Sequence, residues 1–460
     1  MNSEDVKKRT MDAVNSATEC VNNYVNTIYE RHVFPAETAL DSLSNFDEGL
    51  PQLSSNASTV IRQLHQFAAP ATVATTGGRY FGLVVGGVTP ASMGAAMLNA
   101  AWDQIAILEA ASPAAIYLER IAAKWVLELL ALPADSSVGF TTGTSVGNLV
   151  CLAAARNAQY EKLGVHLDEV GLAGAPPLRV IVSEQAHVTV YKALGLLGFG
   201  KNQIIKILCD KEGRILPDAL PHIGKDTIIC LQTGNVNSGA SDYFEQIIPQ
   251  ANAAGAWVHV DGAFGLWASA SAHKKHLLVG VEHADSWATD GHKWLNTPYD
   301  CGMAICRNPQ AVHNVMTTIA PYLTEDTEMP PKDMVPEFSR RARGIEVWAA
   351  IKEMGSSGVA DLIDRCCLHA EKLSKGLKEI GYTILNEVQL NQVVATIGNA
   401  EQLQEILSLV QEDGECWFGS TYWQEQYAIR LSVSSWATTD EDIKRTLNAI
   451  EKATNKIISG

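Results

Sequence analysis

Short apolar runs separated by helix-length spacings fill the middle of the chain, from Gly139 to about Pro309. Each run is continuous rather than alternating with polar residues, as is typical of strands buried on both faces. The pattern predicts an α/β fold with a mostly parallel sheet, whose ligands bind at the carboxyl ends of the strands. The predicted strands are Arg179–Ser183, Gln203–Leu208, Thr227–Gln232, Ala256–Val260, Asp285–Thr289 and Gly302–Cys306.

Helical spacing dominates the N-terminal side of this region. Residues 1 to about 65 predict either a surface helix or an arm that packs on a partner subunit, because one such helix buries little surface alone. Residues 91 to 132 predict helices interrupted at Ser112-Pro113, since proline suits a first helical turn.

The C-terminal side begins with residues 321 to 336, which are acidic and proline-rich and indicate a mobile loop. A helix from Gly344 to about Glu379 follows, and the remainder predicts a small α+β unit. Its elements are strands at Tyr382–Leu385, Val393–Ile397 and Ala428–Val433, with helices around 401–412 and 439–457. The chain thus divides into an N-terminal helical segment or dimer arm (1–75), a large domain (76–340) and a small C-terminal domain (341–460).

Charge and cysteine usage exclude several classes of protein. The net charge of −16 and the absence of any Lys/Arg-rich run argue against nucleic acid or anionic membrane as a partner. No apolar run is long enough to span a membrane, and the N-terminus lacks the apolar core of a signal peptide. The nine cysteines form neither CxxC pairs nor a disulfide framework, which predicts reduced thiols in a cytoplasmic protein without a metal site.

Candidate chemistry centres on two stretches, Trp257–Ala263 and Asp285–Leu295. Asp261 closes an apolar strand, and a partly buried carboxylate needs a cationic partner. It can serve a protonated ring nitrogen, or it can cap a helix or pair with an arginine. Lys293 follows another apolar strand, which sets it apart from an ordinary solvated lysine.

Two further stretches add parts of a ligand site. Gly139–Asn148 is a glycine- and hydroxyl-rich turn that opens a helix, where Thr144 and Ser145 can bind a phosphate or form an ordinary helix cap. His187 ends a buried-type strand, where its imidazole can stack on a planar ring or remain a loop histidine. Ala263 is small enough to lie flat against such a ring.

In this order, phosphate turn, histidine, aspartate and lysine, the chain resembles the pyridoxal-phosphate-dependent decarboxylases of the aromatic-L-amino-acid, glutamate and histidine decarboxylase group. The resemblance extends from about Arg79 to Ile450. The stretches that carry it are Ala110–Ala114, Gly143–Asn148, Ser183–His187, His259–Ala263, Asp285-Ser286, His292–Trp294, Asp300–Gly302, and Ser339–Arg343 with Trp348.

The resemblance implies fold type I, with a mostly parallel seven-stranded sheet flanked by helices, and pyridoxal 5'-phosphate as cofactor. Lys293 is then the Schiff-base lysine, Asp261 the partner of the pyridinium nitrogen, and His187 the residue stacked on the ring. Thr144 and Ser145 would hold the phosphate.

Further roles follow from the same resemblance. His292 would lie beside the phosphate, and Tyr322 matches a mobile-loop tyrosine that protonates the carbanion left by CO₂. Arg340 opens an arginine cluster assigned to the substrate pocket. The family is homodimeric, with active sites shared between subunits.

The implied reaction is decarboxylation of an L-amino acid to a primary amine through a quinonoid intermediate. A C–C lyase or an oxidative, aldehyde-forming enzyme on the same scaffold is the alternative, and a non-catalytic dimeric binding protein is a third hypothesis, against which intact Lys293 and Asp261 argue.

Three departures from the family pattern stand out. Asp290-Gly291 replaces the usual Asn-Pro before His292, and the loop from Tyr322 to Arg340 is short. The third is an aliphatic substrate pocket in place of an aromatic one. Its predicted lining is Phe81, Leu83, Val84 and Ile107, with Ile105 nearby.

Overall fold

A seven-stranded sheet forms the centre of the molecule. The computed structural model describes residues 2–318 and 329–458. The strand order is β1-β7-β6-β5-β4-β2-β3, and β7 runs antiparallel to both neighbours while the remaining pairs are parallel. The strands are β1 Ser137–Thr141, β2 Arg179–Ser183, β3 Ile204–Ile207, β4 Thr227–Gln232, β5 Trp257–Asp261, β6 Ser286–Asp290 and β7 Gly302–Cys306.

All six strands predicted from apolar runs are present, and the mostly parallel α/β sheet is confirmed. Every residue of β4 to β7 is buried, which explains why their sequences are continuously apolar. The sequence did not indicate β1, since Gly139 interrupts its two large apolar residues, Val138 and Phe140.

Helices cover both faces of this sheet and build the N-terminal segment. The 25-residue helix α1 is largely exposed, and α6 packs directly on β6 and β7. The helices are α1 Ser3–Thr27, α2 Glu37–Asp41, α3 Ala57–Phe67, α4 Pro90–Trp102, α5 Pro113–Leu129, α6 Thr144–Lys162, α7 Leu167–Val170, α8 Val188–Leu196, α9 Phe244–Ala254, α10 Pro309–Met316, α11 Gly344–Ile380, α12 Ala400–Asp413 and α13 Asp440–Ile458.

The C-terminal part contains a second, antiparallel sheet of order β10-β11-β9-β8. Its strands are β8 Thr383–Ile384, β9 Gln392–Thr396, β10 Gly419–Trp423 and β11 Gln426–Ser432. The predicted α+β character is confirmed, although polar β10 was not indicated by the sequence. The domain boundaries at residues 75/76 and 340/341 stay predictions.

Within the described ranges, no helix is both long and apolar enough to cross a bilayer. The same ranges contain no cluster of three or more His, Cys, Asp or Glu side chains arranged to hold a metal. Half of the loop predicted at residues 321–336, namely residues 321–328, lies outside the described residues.

Candidate active site

Asp261 ends β5 at the carboxyl edge of the large sheet and is buried. Its Oδ2 accepts a hydrogen bond from Asn148 Nδ2 at 3.1 Å, and its Oδ1 accepts one from the Ala263 amide at 3.2 Å. Both donors are neutral, so the carboxylate keeps its charge available for a cationic ligand. Neither a helix cap nor an arginine pair accounts for these two contacts.

A chain of buried hydrogen bonds runs from Asp261 back along the sheet. Asn148 Oδ1 lies 2.9 Å from His259 Nε2, and His259 Nδ1 lies 3.0 Å from Ser286 Oγ. Ser286 Oγ in turn accepts from Trp257 Nε1 at 2.9 Å.

The indole at one end of this chain is only a donor, and the carboxylate at the other end is only an acceptor. The Nδ2 of Asn148 donates to Asp261, so the Oδ1 of the same side chain must accept from His259 Nε2–H. Every proton in the chain therefore points toward Asp261. Burial lowers the pKa of His259 to about 4, which keeps the imidazole neutral as this arrangement requires.

Asp290 ends β6, the neighbouring strand, and is also buried. Its Oδ2 accepts from the Thr144 amide at 2.9 Å and from Thr144 Oγ1 at 3.1 Å. Its Oδ1 lies 2.6 Å from His292 Nδ1. Thr144 is the first residue of α6, so the predicted phosphate turn is in contact with Asp290, which in turn lies beside His292.

The glycines around this turn permit very close packing. A Cβ on Gly302 would lie 2.2 Å from the backbone of Gly143, and one on Gly291 would lie 2.6 Å from both Cys301 Sγ and Thr297 Oγ1. Glycine at position 291, where the family pattern has proline, thus fits its surroundings, because residue 291 has no room for a side chain.

Lys293 lies in a π-helical turn, Gly291–Leu295, that begins directly after β6. Burial lowers the pKa of its amine, and the carboxylates of Asp290 and Asp261 oppose this shift. A Cβ on Gly86 would lie 1.9 Å from the Lys293 carbonyl, and the Gly86 amide donates to the His292 carbonyl at 3.0 Å. The glycine-rich loop therefore fixes the backbone of the lysine turn.

His187 lies at the N-terminus of α8, where its Nδ1 is 2.8 Å from Thr189 Oγ1. Although the residue is exposed by its surface area, desolvation lowers the pKa of its imidazole, opposed by Asp261 and assisted by Lys293 and Arg430. Asp261 and Lys293 are thus close enough to His187 to act on its charge, and the roles predicted for these three residues stay predictions.

Arg430 is close enough to act on the charges of Lys293 and His187, and sequence reasoning missed it. It lies on β11, and its positive charge lowers the pKa of both Lys293 and His187. Its Nη1 donates to the Val236 carbonyl at 3.1 Å. The sequence around Arg430 contains no ligand-binding pattern. Its position near Lys293 depends on the second sheet, which the sequence does not place.

Asn148, His259 and Ser286 were missed as well. Asn148 follows Thr144 by one helical turn and shares its face of α6, which is a signal that the sequence offers. The roles of His259 and Ser286 depend on strand register, since these residues face each other across β5 and β6.

The predicted pocket residues differ in exposure. Phe81 and Val84 are almost fully buried, Ile107 is buried, and Leu83 is 66% exposed. Leu83 and Val84 have φ values of 53° and 59°, a left-handed conformation that strains a branched side chain. Such strain is often found beside ligand sites.

Three other predicted residues have separate outcomes. Both Nη atoms of Arg340 lie 2.8 Å from Glu119 in a buried bidentate pair, so its place in the substrate pocket stays a prediction. Ala263 is partly exposed and accepts from the Asp290 amide at 3.0 Å. Tyr322 lies outside the described residues.

Comparison with protein families gives one match that covers most of the chain. Residues 40–397 match the family described as the pyridoxal-dependent decarboxylase conserved domain.

Individual proteins agree with this match. An aromatic-L-amino-acid decarboxylase of Bacillus atrophaeus is 28% identical over 74% of this chain and 73% of its own length. A phenylacetaldehyde synthase of Petunia hybrida is 26% identical over 77% of this chain and 76% of its own length. The crystal structure of Oryza sativa TDC with PLP and tryptamine superimposes with a TM-score of 0.90 at 22% identity, covering 99% of each chain.

Proposed function

This chain belongs to the pyridoxal-dependent decarboxylase family, and from that premise we propose that the ends of β5 and β6 form the site where an L-amino acid loses its carboxylate as CO₂. The enzyme is a pyridoxal-phosphate-dependent carboxy-lyase, and its product is a primary amine. The residue roles, the substrate side chain and the assembly that follow are proposals.

The residues at the two strand ends fit pyridoxal phosphate. Asp261 is a buried carboxylate held by neutral donors, which suits a protonated ring nitrogen. The first turn of α6 offers amides for a phosphate. The lowered pKa of Lys293 favours the neutral amine, which is the form that bonds to an aldehyde. When bound, the cofactor accepts the electron pair that remains on the α-carbon as CO₂ departs.

The chain's own residues then orient the substrate and control its protons. We assign the substrate carboxylate to Arg430, the cation that acts on both Lys293 and His187. His187 and Ala263 would hold the ring and the substrate in one plane, and Tyr322 would return a proton to the α-carbon. Of these observations, the position of Lys293 directly after β6, beside the strand ends that carry Asp261 and Asp290, carries the proposal.

The side chain of the substrate would face Phe81, Val84 and the neighbouring loop, which favours an apolar amino acid. Several relatives are named for aromatic amino acids, among them the decarboxylase of Bacillus atrophaeus. We therefore propose an L-amino acid with an aliphatic or aromatic side chain.

A screen of the purified holoenzyme against the common L-amino acids tests this function, with CO₂ and amine both measured. We expect one amine per CO₂ from an apolar substrate, and no product from Lys293→Ala. Aldehyde and hydrogen peroxide in place of amine would establish the aldehyde-forming alternative. Turnover of no amino acid by fully loaded enzyme would refute the proposal.

We also propose that the protein is a homodimer. Large apolar side chains are exposed along the N-terminal segment and α4, and exposed apolar surface of this kind often marks a protein–protein interface. These are Val6, Met11, Val14, Leu50, Leu53, Leu64, Met97, Leu98 and Trp102.

A cytoplasmic location accords with nine cysteines that are all free thiols.

Shared active sites are tested by mixing two inactive variants, Lys293→Ala and Tyr322→Phe, under conditions that exchange subunits. If Tyr322 of one subunit serves Lys293 of the other, the mixed dimer contains one intact site and regains activity. If each site is built from one subunit, the mixture remains inactive. Sedimentation of the same samples establishes whether dimers are present.

A further inference from the structure

The first turn of α6 has few donors to offer a phosphate. The amides of Val146 and Gly147 donate to the Gly143 carbonyl at 3.0 Å, so the amides of Thr144 and Ser145 are the ones positioned for a ligand. The Thr144 amide and its hydroxyl both donate to Asp290 Oδ2. A carboxylate of the protein itself therefore binds part of the anion site.

Asp290 cannot readily move away from this position. Its amide donates to the Ala263 carbonyl, and its carbonyl accepts from Trp267 Nε1, each at 3.0 Å. Gly291 has no space for a side chain, which fixes the path of the chain on the other side. Only rotation of the side chain itself can release Thr144.

The charges facing Asp290 come from the lysine turn and the segment after it. His292 Nδ1 lies 2.6 Å from Asp290 Oδ1. The negative charge of Asp290 also opposes the lowering of the Lys293 pKa by burial. Tyr299 stacks on His292. Burial, with a smaller contribution from Asp290, raises the pKa values of Tyr299 and Cys301, so both side chains stay neutral. A phosphate dianion would thus meet a carboxylate with one histidine beside it.

We propose that Asp290 competes with the cofactor phosphate for the first turn of α6, so that phosphate binding displaces this carboxylate from Thr144 and takes up a proton from solvent. The proton is held within the Asp290–His292–phosphate group, where it relieves repulsion between two anions. Asparagine at position 290 would keep the size of the side chain and remove the negative charge that competes with the phosphate. The inference depends on the proposed position of the phosphate at α6.

Binding of pyridoxal phosphate to the apoprotein tests the inference, with pyridoxal as the ligand that has the ring and aldehyde but no phosphate. We expect Asp290→Asn to bind pyridoxal phosphate on the order of tenfold more tightly at about pH 8, since charge-assisted hydrogen bonds are involved. Binding of pyridoxal should change little.

Calorimetry in buffers of different ionisation enthalpy measures the proton directly. Wild-type protein should take up more protons per pyridoxal phosphate bound than Asp290→Asn does. The matched control is Asp300→Asn, which removes a nearby carboxylate that pairs with Arg343 rather than with Thr144. This control should behave as wild type in both measurements.

Ser145→Ala separates failure of the inference from failure of the proposed site. If it weakens pyridoxal phosphate but not pyridoxal, the phosphate is at α6. An unchanged or weaker affinity in Asp290→Asn would then overturn the competition. If Ser145→Ala affects both ligands equally, the phosphate lies elsewhere and the inference fails with the proposed site.

Discussion

Two Asp-Gly pairs end neighbouring parallel strands, Asp261-Gly262 on β5 and Asp290-Gly291 on β6. Both carboxylates are buried at the same edge of the sheet, yet their partners differ. Asp261 receives the end of a neutral hydrogen-bond chain, whereas Asp290 binds a helix N-terminus and lies against a histidine. The comparison shows that the hydrogen-bond donors around a buried carboxylate determine which positively charged group it can bind. Its residue type and its burial matter less.

The largest expected effect comes from Asp261→Asn. Loss of the charge that we propose to face the ring nitrogen should lower kcat/KM by about 100- to 1,000-fold, comparable with removal of one preorganised electrostatic contact. The matched change Asp290→Asn should lower it by no more than about threefold. Steady-state kinetics at saturating cofactor measure both, and equal losses would abolish the distinction between the two strand ends.

A pH-dependent effect is expected from His259→Gln. Unfolded histidine binds a proton near pH 6.5, whereas burial holds the folded pKa of His259 at about 4. The unfolded state therefore binds more protons between these values, and stability falls as pH falls through this range. The slope is about 1.4 kcal/mol per pH unit, or roughly 3 kcal/mol in total.

Glutamine does not titrate, so the variant should lose this slope while keeping a donor for Asn148. Urea unfolding at a series of pH values measures the difference between the two proteins. Identical acid slopes in wild type and variant would mean that His259 is not held neutral, and the directed hydrogen-bond chain would fail with it.

The smallest effect is expected from Gly291→Ala, which adds one methyl group against Cys301 and Thr297. Overpacking of this kind costs about 1–2 kcal/mol of unfolding free energy. Cys301→Ala in the same chain removes the sulfur, which is one of the two close contacts, and should recover part of that loss. A double-mutant cycle by urea unfolding measures the coupling, and strictly additive losses would contradict the predicted contact.

Much of this site could be read from the sequence, and the remainder depends on tertiary placement. Strand and helix patterns in the sequence predict that three site residues lie at one edge of the sheet. Asp261 ends a strand, Lys293 follows a strand, and Thr144 begins a helix. Arg430 could not be predicted, because a second sheet carries it there. The polar chain through Ser286 required the register of β5 against β6, which apolar runs do not specify. Strand β1 was missed because glycine interrupts a very short run.

The directed hydrogen-bond chain also makes the indole proton of Trp257 a distant reporter of the site. Trp257 lies at the opposite end of β5 from Asp261, and its indole N–H donates a buried hydrogen bond to Ser286 Oγ. Exchange of that proton with deuterium requires β5 and β6 to separate locally. The exchange rate of a single indole signal would thus report how often the sheet opens beneath the proposed cofactor site, with no label placed there.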